Sequence, residues 1–72
     1  MYRVQIQLET TSDVASFVNT AERLEGVIQV KDLSGHCVNA KSLMGMLYAL
    51  EFKELWCESE KDIYSHIERY VI

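Results

Sequence analysis

From Tyr2 to Glu9 the chain alternates without a break. Tyr2, Val4, Ile6 and Leu8 fall on one side, Arg3, Gln5, Gln7 and Glu9 on the other. A period of two marks a β-strand with one buried and one wet face. A chain that opens this way must supply apolar elements to cover that buried face. Its 72 residues leave room for one domain. At that size folding buries only about 60% of the extended chain's surface, so every later element has to add to a small core.

The elements that follow can be placed by periodicity and caps. Thr10, Thr11, Ser12 and Asp13 supply several N-caps in a row. Val14, Phe17, Val18, Ala21 and Leu24 then recur at helical spacing, giving a first helix of about three turns, with Gly26 where a C-cap belongs. Val27 to Leu33 reads as a strand, Ser34-Gly35 as a two-residue turn, and His36 to Val38 as the returning strand of a hairpin. A second helix is expected from near Ser42 to near Glu51, and a fourth strand from Lys53 to Glu58. Ser59 with Asp62 resembles a capping box ahead of a last helix whose buried stripe is Ile63, Ile67, Tyr70 and Val71. The order is β-α-β-β-α-β-α. An alternating first strand needs cover on one face only, so the expected fold is α+β: an open-faced sandwich, a four-stranded antiparallel sheet with three helices on one face.

Composition removes several classes of function. The net charge of -4 leaves no basic stripe to neutralise phosphates, which argues against nucleic acid as a partner. No apolar run approaches the roughly 20 residues a membrane span needs, and the N-terminus begins with strand-like alternation, not a signal peptide. The expected location is cytoplasmic, where Cys37 and Cys57 would remain reduced, as small buried thiols.

The segment from Ser42 to Leu50 carries no charge and is apolar all the way round. At about 100° per residue, Leu43, Met44, Leu47 and Tyr48 form one sector and Gly45, Met46, Ala49 and Leu50 the other. So short a helix in so small a domain cannot bury both. The small pair Gly45 and Ala49 lets the backbone approach a sheet, which places the Gly45 sector inward. The cluster Leu43, Met44, Leu47 and Tyr48 then faces outward as a partner-binding surface. Burial of the whole helix in a crevice is the alternative.

The run Val38-Asn39-Ala40-Lys41-Ser42-Leu43-Met44-Gly45-Met46, the order of elements, and Val18-Asn19-Thr20-Ala21 resemble HPr, the phosphocarrier of the bacterial sugar phosphotransferase system. The resemblance implies the sandwich fold and identifies Ser42 with the family's regulatory phosphorylation site. It implies partners among phosphotransferase-system proteins, an HPr-type serine kinase, or a transcription regulator that recognises the seryl-phosphorylated form. It also exposes a departure. The family's active-site histidine, closely followed by arginine and proline, should open the first helix. Here that region reads Leu8-Glu9-Thr10-Thr11-Ser12-Asp13-Val14-Ala15, with no histidine, arginine or proline. Glu9 and Asp13 add negative charge where a phosphate would sit. His36 and His66 lie elsewhere, so histidine phosphotransfer is not expected.

The expectation is therefore a non-enzymatic regulatory or protein-binding module, with Ser42 as a possible switch and otherwise a helix N-cap. The alternative is a structural or self-associating domain that kept the fold and left the pathway. No nucleophile, acid–base pair or metal set can be assembled, and no cofactor is implied. His36 and Cys37 are strand neighbours that point to opposite faces and cannot readily chelate one ion. Trp56 is either core or, on the open sheet face, a contact for a weak homodimer.

Overall fold

In the computed structural model, which describes residues 1–72, the chain runs β1 (Tyr2–Ile6), α1 (Thr11–Glu22), β2 (Ile28–Lys31), β3 (Cys37–Asn39), α2 (Leu43–Ala49), β4 (Leu55–Ser59) and α3 (Tyr64–Ile67), followed by a 3-10 turn at Glu68–Tyr70. The four strands form one antiparallel sheet in the order β1-β4-β2-β3, with the helices covering one face. The α+β open-faced sandwich is thus the observed architecture.

Alternation assigns the two faces. Ile6, Ile28, Val30, Leu55 and Cys57 are buried under the helices with Phe17, Val14, Met46, Ala49 and Ile67. The register sets Arg3 and Gln29 beside Glu58, and Gln5 and Lys31 beside Trp56, on the uncovered face. There the Glu58 carboxylate lies 3.0 Å from Lys31 Nζ and 3.6 Å from Arg3 Nε. Trp56 is consequently not core. It lies half-buried under the Arg3 guanidinium, 4.6 Å from the ring centre, and its N–H donates to Glu54 at 3.1 Å.

The caps explain where the helices begin. Thr10 caps α1: its Oγ1 accepts the Asp13 N–H while Asp13 Oδ2 accepts the N–H of Thr10 and of Glu9, a reciprocal box worth about 1 kcal/mol. Ser42 caps α2, accepting the Gly45 N–H at 3.2 Å.

Several boundaries differ from the expected ones. Helix α1 stops at Glu22 with Arg23 as its C-cap, so Leu24 falls outside it, and Gly26 supplies a positive φ of 87° in the loop beyond. The β2–β3 connection has three residues, not two. Asp32 pairs with His36 across Leu33-Ser34-Gly35, with Gly35 at φ 98°, a common hairpin form with its glycine in the left-handed region. Ser59 does not cap α3. It ends β4, is buried, and donates its hydroxyl to the Lys61 carbonyl at 2.7 Å.

The last helix is shorter than its stripe implied. Ile63, Ile67 and Tyr70 are buried, but α3 makes one turn and Val71 leaves the helix to pair with Ile6. Because α3 is so short, Tyr2 at the end of β1 stays 54% exposed although alternation aims it inward. Cys37 is exposed, contrary to the expectation of two buried thiols, because it sits on the uncovered face.

Candidate functional site

Helix α2 spans seven residues and ends in a turn at Leu50 and Glu51, two residues short of the expected end. Met46 and Ala49 are fully buried, whereas Leu43 is 48%, Met44 83%, Leu47 41% and Tyr48 50% exposed. The helix therefore presents its Met46–Ala49 side to the core and the other sector to solvent. Gly45 is not forced by crowding. A Cβ there would stand 3.4 Å from Ser42 Oγ and 3.5 Å from Val38 Cβ, ordinary contact distances. The glycine is therefore compatible with alanine, and Ala49 is the small residue of the pair that is buried in the core.

Ser42 is half-buried and its hydroxyl already serves the helix through Gly45. Lys41 beside it points away: its Nζ donates to the Leu24 carbonyl at 2.7 Å, tying the loop after α1 to the start of α2. At the N-terminus of α1 the capping box takes up the N–H groups of Glu9, Thr10 and Asp13.

An aromatic cluster adjoins the outward face of α2. The His36 ring lies 5.9 Å from Phe52 and 6.5 Å from Tyr48, and Tyr48 meets Phe52 edge-on at 5.6 Å. Asp32 organises the hairpin tip beneath it. Its Oδ1 accepts the N–H of Ser34 and of His36 at 2.9 Å each, and its Oδ2 lies 3.0 Å from His36 Nδ1. Desolvation alone would raise the Asp32 carboxyl, but the hydrogen bonds and attraction from His36, with the Ser34 N–H, outweigh it and hold it below its usual value. Sequence reasoning missed this cluster. The available signal was an aspartate two residues ahead of Ser-Gly, a side chain suited to closing a turn.

The remaining titratable and reactive groups stay apart. Burial pushes the Cys57 thiol up to about 11, with the Glu58 charge adding to the shift. His36, Cys37, Cys57 and His66 do not converge, and no three His, Cys, Asp or Glu side chains gather around a common point. The cleft that short α3 leaves open, about 300 Å³, is walled by Tyr2, Val4, Ile63, Tyr64 and Ile67. No helix is long and apolar enough to cross a membrane.

What fold and site define together is an open-faced α+β sandwich with an uncharged, outward helix face. Compared with protein-family models, curated proteins and solved structures, the chain matches none.

Proposed function

We propose that this domain is a protein-binding module that docks through the outward face of α2, using Leu43, Met44, Leu47 and Tyr48. One observation carries the reading: four large apolar side chains, adjacent on one helix, stay between 41% and 83% exposed in a domain of net charge -4. Covering them would gain roughly 25 cal/mol for each Å² withdrawn from water, and contiguous apolar patches of this kind mark interaction surfaces. Methionine suits the task because its unbranched, polarisable side chain adapts to a partner's shape.

Within the Val38–Met46 run that resembles HPr, Leu43 and Met44 lie on this same face, with Ser42 just ahead of them. By that resemblance the partner is a phosphotransferase-system protein, an HPr-type serine kinase or a transcription regulator, and Ser42 is the point of control. A phosphoryl group on Ser42 would set about two negative charges beside Leu43 and Met44 and change which surface can dock there. Without a histidine at the start of α1, the reading assigns no phosphocarrier step.

Titration of ¹⁵N-labelled protein with each of those three partners tests this, before and after treatment with the serine kinase and ATP. Amide shifts confined to residues 42–50, abolished by Met44→Glu, are the expected result. Shifts centred on the uncovered sheet face overturn it. So does the absence of any response while a genuine HPr responds under the same conditions. A self-associating domain is the second reading, favoured by the lack of charge along β3 and α2.

A further inference from the structure

We propose that two copies of this chain pair edge to edge through β3. The product is an eight-stranded antiparallel sheet with the two α2 helices side by side across a two-fold axis. The inference rests on α2 being a protein contact surface and names a second copy as its occupant.

The two edges of the sheet are treated differently. The β1 edge is covered along Gln5 to Gln7 by residues 70–72, and its remaining stretch carries the charged Arg3: Val71 bridges Ile6, the Gln7 N–H donates to the Tyr70 carbonyl at 2.8 Å, and the Ile72 N–H to the Gln5 carbonyl at 3.1 Å. At the other edge, β3 is the last strand. The Asp32 N–H donates to the His36 carbonyl and the Ala40 N–H to the Ile28 carbonyl, so His36 and Ala40 turn their bonding partners toward β2. Val38, opposite Val30, does the same, and in an antiparallel ladder the residues that alternate with these three turn the other way. Cys37 and Asn39 therefore aim backbone N–H and C=O groups outward. The Asn39 carbonyl accepts the Ser42 N–H at 3.0 Å and keeps a second lone pair.

Edge strands are ordinarily guarded by charged side chains, proline or a bulge. Cys37-Val38-Asn39 has no charge and no proline. From Cys37 to Leu50 the only charged residue is Lys41, whose ammonium is turned onto the Leu24 carbonyl. A chain of net charge -4 repels a second copy of itself over most of its surface, but not along this stretch.

The helix geometry fits the same axis. Helix α2 packs on β3 and β2. Gly45 faces Val38 and Tyr48 meets His36, so the Gly45–Tyr48 side of the helix runs along the open edge, with exposed Met44 beside it. With strands about 4.8 Å apart, a helix seated over β2 and β3 lies about 5 Å from an axis drawn outside β3. Its symmetry mate is then about 10 Å away, a normal helix-packing distance. Pairing centred on Val38 sets Cys37 of each copy opposite Asn39 of the other and makes four backbone hydrogen bonds. Three residues of edge are too few to hold two chains by themselves. The facing α2 surfaces supply the apolar contact, and the two-fold makes the interface self-complementary.

Sedimentation velocity of the full chain from micromolar to millimolar concentration tests this, together with isotope-filtered NOE spectra of mixed labelled and unlabelled protein. The expected result is a concentration-dependent dimer with an intermolecular contact between the Val38 α-protons. Met44→Glu, at a side chain that the fold leaves in solvent, raises its Kd at least tenfold. Cys37→Lys, on the edge and away from α2, does the same. A monomer up to millimolar concentration overturns the proposal, and so does a dimer lacking the Val38 contact. Either result leaves the titration with other partners to stand or fall on its own data.

Discussion

Val71 bridges Ile6, and this contact lets the last three residues act as an edge guard for the first strand. Deleting Val71 and Ile72 removes the bridge, the Ile72–Gln5 hydrogen bond and a half-buried valine. The expected loss is roughly 1–3 kcal/mol, read as a lower urea midpoint. Amide exchange should quicken most along β1, while β3 should change little.

Gly45 lies inside α2 with a normal φ and room for a methyl group against Val38. Gly45→Ala should therefore stabilise the fold by about 0.5–1 kcal/mol through the helix preference of alanine alone. Urea unfolding would show it, and a loss of stability would mean that the Val38 contact is tighter than its distance indicates.

The two thiols should behave oppositely. Cys37 is exposed and Cys57 buried, with its thiol raised to about 11. A disulfide reagent at pH 8 should titrate one thiol per native chain and both after denaturation. The raised group also predicts alkaline sensitivity. Unfolded Cys57 ionises near its usual 9.0, folded Cys57 only near 11, so its contribution to stability is whole below pH 9 and falls as pH rises through that window.

Asp32 carries the opposite sign. Its carboxyl is held below the usual 3.8 by His36 and Ser34, so its contribution is present above that value and is lost as pH falls through the lower folded-state value. Asp32→Asn should flatten the acid limb of the urea midpoint measured from pH 6 to pH 2. The change should be accompanied by loosening of the His36–Tyr48 contact in NOE spectra.

Ser42→Ala should cost about 1 kcal/mol by removing the acceptor for the Gly45 N–H, and Ser42→Asp should retain most of it. A variant that loses partner shifts at equal stability would separate a switching role from a capping role.

The parts of this molecule that were legible in the sequence are those fixed by short-range repetition. The alternation of β1 and the spacing of Val14, Phe17, Val18 and Ala21 named their elements because each pattern is set by one buried face. The opposed sectors of α2 were legible for the same reason. What failed depended on contacts distant in sequence. Ser59 looks like a cap until β4 claims it as a buried strand residue, and Val71 looks helical until β1 offers it a backbone partner. Trp56 looks like core until the register puts it on the far side with Arg3. The Asp32–His36–Tyr48–Phe52 cluster joins a hairpin tip to the end of a helix, which no local pattern encodes.

Trp56 is the single tryptophan, and its place on the uncovered sheet face makes it an optical signal of the sheet layer alone. Its emission is governed by Arg3 above it and Glu54 beside it, so it follows the integrity of the sheet. Tyr48, on the opposite layer, answers to whatever covers α2. Trp56 emission can thus follow unfolding in an unlabelled sample from the face remote from α2, whereas the four tyrosines emit together and docking at Tyr48 is read from its own ring proton resonances.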